Sequence, residues 1–352
     1  MCSARTEDAA LETLMLPFAS GRLPWPEGGA LFLRARSGSP LAQHPLAGLV
    51  CEQSFRPDAE ALERAGYVVR PGETDGQAHY PLVLVLPPRQ RDESRALLAR
   101  AIASTAPQGI VVASATNNEG ARSAEADLAR LAGPVETLVK NKCRVFWTSP
   151  LNGAADSRLA AQWLSLDAVR PIAQGRFLSR PGIFAWDRID PASQLLAEHL
   201  PGDLHGHAAD LGGGFGFLSV ELLQRCPKIT ALDVYEAEGR ALEVARLNIA
   251  AHAPHAAVTF KWHDVTAGLP RRYDVIVTNP PFHTQNRADR PDIGRRFISV
   301  AAAALNPGGS LWLVANRHLP YETVLADSFA RVRKVAERDG FKIIESVKGP
   351  GR

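Results

Sequence analysis

Apolar positions fall into two patterns along this chain: short unbroken runs, and longer stretches with apolar residues three or four apart. The runs at 30–34, 82–86, 109–113 and 144–147 have the length of strands buried on both faces, and Ala-, Leu- and Arg-rich helical stretches separate them. The second half repeats the arrangement, with predicted strands at 207–210, 228–236, 258–263, 273–278 and 310–316. Ala237, Ala241, Leu242, Val244, Ala245 and Ile249 lie at helical spacing between two of these strands, and Ile293, Phe297, Ile298, Ala301 and Leu305 do so between two others. Residues 331–347, interrupted by Asp339-Gly340, predict an antiparallel pair with a tight turn. Strands alternating with helices imply α/β architecture: mainly parallel, doubly wound sheets that bind ligands at their carboxyl edges.

At 352 residues the chain has room for two domains, with a boundary expected near residue 172, giving 1–172 and 173–352. The halves share a pattern. Leu86-Pro87-Pro88 follows its strand as Asn279-Pro280-Pro281 follows 273–278, and Arg36-Ser37-Gly38-Ser39-Pro40 stands where the second half has a glycine loop. The first half therefore reads as a degenerate copy.

The chemistry concentrates in the second half. Asp210-Leu211-Gly212-Gly213-Gly214-Phe215-Gly216 joins a strand to a helix. Its spacing is not the Gly-x-Gly-x-x-Gly of dinucleotide folds, and Asp210 would repel a pyrophosphate. A strand-terminal acid suits the cationic amino-acid end of S-adenosylmethionine. About twenty residues on, Asp233 and Glu236 are both candidates for the ribose hydroxyls; Glu236 is favoured because it ends its strand at the ligand edge, whereas Asp233, inside the strand, also reads as a structural hydrogen-bonding or capping acid. Asp264, closing the third strand, either accepts the adenine amino group or caps the turn that follows.

Asn279-Pro280-Pro281-Phe282 ends the fourth strand. The side-chain carbonyl of Asn279 and the backbone carbonyl of Pro280 can each accept a hydrogen of a planar NH2, two prolines stiffen the turn, and Phe282 offers a face for stacking. Asn279, Pro280 and Phe282 are thus the expected catalytic residues, with Asn279 also beside the donor. His283 and Arg287 are candidates for substrate contact, and Phe184 either closes the cofactor pocket or belongs to the core.

The net charge of +3 does not by itself announce nucleic acid, but Arg287, Arg290, Arg295 and Arg296, and Lys140, Lys142 and Arg144, form local basic clusters suited to phosphates or to a solvated face. Four scattered cysteines fit a reducing cytoplasm, and the paired histidines (His205/His207, His252/His255) lack further ligands at metal spacing. No long apolar run or basic-then-apolar leader is present, so neither a membrane span nor secretion is expected.

Taken together these residues resemble the class I S-adenosylmethionine-dependent methyltransferases, and more narrowly the bacterial ribosomal RNA guanine-N2 methyltransferases of the RsmC and RlmG type. Arg180-Pro181-Gly182-Ile183-Phe184, Asp190-Pro191-Ala192-Ser193-Gln194-Leu195-Leu196, the glycine loop, Asn279 to His283 and Val314 to Glu322 carry the resemblance. In the first half it rests on 120–125 and 140–146. It implies two tandem Rossmann-like methyltransferase domains of which only the second binds S-adenosyl-L-methionine. The first would recognise RNA or support folding. The implied substrate is a guanosine of 16S RNA, free or in the assembled small subunit, modified by a monomer. Two positions depart from the family pattern: Gly213, where Cys is frequent, and Ala192, where Gly is usual. A protein glutamine amide or adenine N6 would also suit the Asn279 turn, and a non-catalytic ribosome-assembly factor is the alternative of a different class.

Overall fold

The apolar runs become the central strands of two seven-stranded sheets in a computed structural model that describes residues 8–25, 27–43, 47–72, 78–153, 156–252, 257–281 and 291–350. The chain divides into two compact units, Met1–Ala168 and Val169–Arg352.

In the first unit the strands are β1 (Ala30–Leu33), β2 (Leu49–Glu52), β3 (Val68–Arg70), β4 (Tyr80–Val85), β5 (Thr105–Thr116), β6 (Val135–Lys140) and β7 (Cys143–Thr148), in the order β3-β2-β1-β4-β5-β7-β6. The second unit begins with a short antiparallel pair, β8 (Arg170–Ile172) and β9 (Phe177–Ser179). Its main sheet comprises β10 (His205–Leu211), β11 (Lys228–Glu236), β12 (Ala257–Trp262), β13 (Tyr273–Thr278), β14 (Leu305–Asn316), β15 (Arg331–Arg338) and β16 (Phe341–Val347). Their order, β12-β11-β10-β13-β14-β16-β15, repeats that of the first unit. Five neighbouring strands of each sheet pair in parallel, and the last two are added by antiparallel pairing, so that only β7 and β16 run against the rest. The predicted tight turn at Asp339-Gly340 joins β15 to β16 with positive φ at both residues.

Each sheet is the middle of three layers. Along β13, Val275 and Val277 enter one apolar cluster while Ile276 enters the cluster on the opposite face. Along β4, Leu82 and Leu84 separate from Val83 and Val85 in the same way. Burial on both faces explains the unbroken apolar runs. In both sheets the chain order reverses beside the first strand, between β1 and β4 and between β10 and β13, which opens a crevice at the carboxyl edge. Among the described residues no helix is long and apolar enough to cross a membrane.

Candidate active site

The glycine loop leaves β10 and enters the helix Phe217–Arg225. The amides of Gly212 and Gly213 both donate to the Tyr235 carbonyl, at 2.9 and 3.0 Å, which folds the loop over the end of β11. Gly216 has a φ of 90°, and a Cβ there would lie 3.2 Å from the Ala245 backbone, so glycine permits both the turn and the close helix. At Gly213 a Cβ would stand 2.6 Å from Cγ1 of buried Val234. This chain's departure from Cys at that position is therefore matched to its neighbour.

Asp210 is fully buried. Ser219 Oγ donates to its Oδ2 at 2.7 Å, while Oδ1 has no partner among the described residues. Burial pushes its carboxyl up to about 7, with the nearby Glu236 charge adding to the rise and the Ser219 hydrogen bonds opposing it. Glu236 ends β11 as expected, with Oε2 accepting from Gly214 N and Oε1 from Glu238 N, both at 2.8 Å. Burial raises its pKa against the pull of those amides. It is thus held against the glycine loop at the ligand edge.

Asp233 is not brought to this cluster. Its Oδ2 accepts from the Tyr273 hydroxyl at 2.8 Å, and His207 Nε2 lies 3.6 Å from its Oδ1. Tyr273 opens β13, so the network sits toward the amino end of parallel strands, away from the crevice. These contacts match the alternative for Asp233, a structural hydrogen-bonding acid, and leave Glu236 as the carboxylate at the glycine loop. Asp264 caps the short turn Val265–Ala267 through Oδ1, which accepts from Thr266 N at 2.8 Å and Thr266 Oγ1 at 2.7 Å. The capping alternative is realised, on one of its two oxygens.

Asn279 follows directly on β13, whose last residue is tied to β10 by Thr278 Oγ1 donating to Leu211 O at 2.7 Å. Asn279 Nδ2 donates to Asp190 Oδ2 and to Ser193 Oγ, both at 2.9 Å. Its Oδ1 has no partner among the described residues. Pro280 is buried. Asp190 and Ser193 were not singled out as site residues by sequence reasoning; the Asp-Pro start of a helix was their only local signal. Phe184 is 59% exposed, so the core alternative for it fails. Phe282, His283, Arg287 and Arg290 lie outside the described residues.

Register identifies the corresponding edge of the first unit. Leu33 pairs with Glu52 and Val85 as Leu211 pairs with Tyr235 and Thr278. Arg34 (φ 54°) therefore stands at Gly212, Arg36 at Gly214, Gln53 at Glu236 and Leu86 at Asn279. Gln53 Nε2 donates to Ala35 O at 2.7 Å, and its Oε1 accepts from Phe55 N at 2.8 Å. A carboxamide thus closes the loop where the second unit has a carboxylate. Arg34 pairs with Glu93 at 2.8 Å. The first unit keeps the fold and lacks the glycine turn, the strand-end carboxylate and the carboxamide acceptor.

Comparison with known proteins agrees with this geometry. The Methyltransferase small domain family matches residues 174–345. The ribosomal RNA small subunit methyltransferase C of Shewanella halifaxensis is 31% identical over 273 residues, covering 76% of this chain and 78% of the relative. That of Pseudomonas aeruginosa is 34% identical over 263 residues, covering 73% and 76%. The solved structure of the T. thermophilus 16S rRNA N2 G1207 methyltransferase (RsmC), in complex with AdoMet and guanosine, superposes with a TM-score of 0.79 at 24% identity, over 97% of this chain and 92% of that one. With two tandem sheets of one topology and relatives this similar over three quarters of their length, the chain belongs to the ribosomal RNA small subunit methyltransferase C family.

Proposed function

We propose that this protein methylates the exocyclic N2 amine of a guanosine in small-subunit ribosomal RNA, using S-adenosyl-L-methionine, as a monomer in the cytoplasm. One observation carries the reading: the Asn279 carboxamide has both N–H groups engaged, leaving its oxygen as acceptor on the edge that holds the glycine loop and Glu236. The names of the relatives and the guanosine in the T. thermophilus complex favour RNA guanine over adenine N6 or a protein amide.

The residues fit the donor. The unpartnered, buried Oδ1 of Asp210 suits an ammonium group, Glu236 at the strand end suits two ribose hydroxyls, and Asp264 retains an oxygen for an adenine amine. When bound, the donor supplies an electrophilic methyl group on a sulfonium. The guanine amine is a weak nucleophile because its lone pair is conjugated with the ring. Asn279 Oδ1 and the Pro280 carbonyl would accept its two hydrogens, turning the lone pair toward the methyl group and favouring a pyramidal nitrogen. As that nitrogen gains positive charge the two carbonyl dipoles bind it more strongly, so they stabilise the transition state beyond the ground state. The proton becomes acidic only after methylation and needs no strong base. Phe282 would stack on an unpaired or flipped base, with His283 and Arg287 beside it. Residues 173–352 would do this chemistry, and the first domain would engage RNA or assist folding.

The test is incubation with isotopically labelled donor and either small subunits or free 16S RNA, followed by nucleoside analysis. N2-methylguanosine is expected, and Asn279→Ala should lose about 10²–10³ in turnover, the scale of one transition-state hydrogen bond, with donor affinity kept. Label in N6-methyladenosine or in protein would redirect the reading, and absence of label from every acceptor would favour an assembly factor.

A further inference from the structure

We propose that Asp190 and Ser193 are positioning residues for methyl transfer: together they fix which end of the Asn279 carboxamide faces the reacting amine. The proposal rests on the reading of Asn279 as the amine acceptor. A carboxamide is nearly symmetric in shape, and one half-turn exchanges its acceptor for a donor. With the NH2 outward, the turn would repel the amine it must hold. Nothing within Asn279-Pro280-Pro281 prevents this.

The clamp is supplied from 89 residues upstream. Asp190 caps the helix Pro191–His199, its Oδ2 accepting from Ser193 N at 2.8 Å. That same oxygen accepts from Asn279 Nδ2, and Ser193 Oγ accepts the second hydrogen. An ionised carboxylate only accepts hydrogen bonds, so the group facing it must be the NH2. Reversal would set two oxygens against each other, and Oδ1 is therefore directed away from the clamp.

The first unit shows what remains when the acceptor is lost. Asp8 caps the helix Ala9–Ala19 as Asp190 caps its own, and its Oδ2 receives Arg36 at 3.0 Å. Leu86 occupies the Asn279 position, and Leu11 stands three residues after its cap as Ser193 does after Asp190. Both leucines are buried in one apolar cluster. At the matching sequence positions the second unit thus has the hydrogen-bonded pair Ser193/Asn279 and the first unit two buried leucines. Capping alone retains the acid; only the copy with a carboxamide to orient also has the serine.

The decisive variant is Asp190→Asn. Asparagine caps a helix as well as aspartate does, but it offers an NH2 as well as a carbonyl, so Asn279 is no longer held one way round. We expect kcat to fall about 10- to 100-fold, a part of the full loss of a transition-state contact. KM for small subunits, donor affinity by calorimetry and melting temperature should stay unchanged. Ser193→Ala should lower kcat by less. In an Asn279→Ala background neither substitution should lower kcat further, because their effect passes through that side chain. An unchanged kcat in Asp190→Asn, a loss that persists undiminished in the Asn279→Ala background, or a loss matched by a falling melting temperature would overturn the clamp. Full turnover by Asn279→Ala alone would overturn the amine-acceptor reading, and the proposal with it.

Discussion

With the donor's ammonium group placed on Asp210, as proposed, donor binding is expected to depend on pH. Its carboxyl, ordinarily near 3.8, is pushed up to about 7 by burial. Between those values the folded chain holds a proton that the unfolded chain has released. The group's contribution to stability therefore declines as pH rises across that window, by about 1.4 kcal/mol per unit and on the order of 4 kcal/mol in all. A bound ammonium group reverses the preference by pairing with the ionised form. Donor affinity should accordingly be flat above pH 7 and fall about tenfold for each unit below it, with proton release on binding near neutrality. Calorimetry between pH 5.5 and 8, in buffers of different ionisation enthalpy, measures both quantities. Asp210→Asn keeps the size and the Ser219 contact and should weaken binding while abolishing the slope. Glu236→Gln, by removing the charge that helps raise Asp210, should move the midpoint down. Constant affinity across the range, or an equal slope in Asp210→Asn, would refute the reasoning.

Glu236→Ala should weaken donor binding in the same calorimetric assay, whereas Asp233→Asn should leave it intact and lower thermal stability by about 1–3 kcal/mol through the disturbed bond to Tyr273. Gly213→Ala should destabilise the protein because the new methyl meets Val234 Cγ1 at 2.6 Å; adding Val234→Ala should recover part of that loss, readable as a rise in melting temperature.

The choice between Asp233 and Glu236 marks how far the sequence reaches. Side chains alternate across a strand, so residues three apart must face opposite ways, and the primary structure implies that only one of these acids fronts the loop. The side each faces was settled by Tyr273 and His207 arriving from two other strands. Asp264 had two possible roles for the same reason: its cap partner is local, and whatever meets its second oxygen is not.

Local physics was legible throughout. Apolar runs made the doubly buried strands, three glycines of positive φ made the turn after β10, and Asp339-Gly340 made the hairpin. Strand order placed Asp210, Glu236 and Asn279 near one crevice, because parallel strands align their carboxyl ends. The pairing of Leu86 with Asn279 was also readable, since it needed only two matching strand exits. What the tertiary structure alone decided were contacts between residues far apart in the chain. Gln53 closes the loop of the first unit, Val234 limits Gly213, and Asp190 with Ser193 holds Asn279 one way round. The reason is physical: propensity and periodicity act over a few residues, whereas the direction of a side-chain dipole depends on whichever group packing sets opposite it.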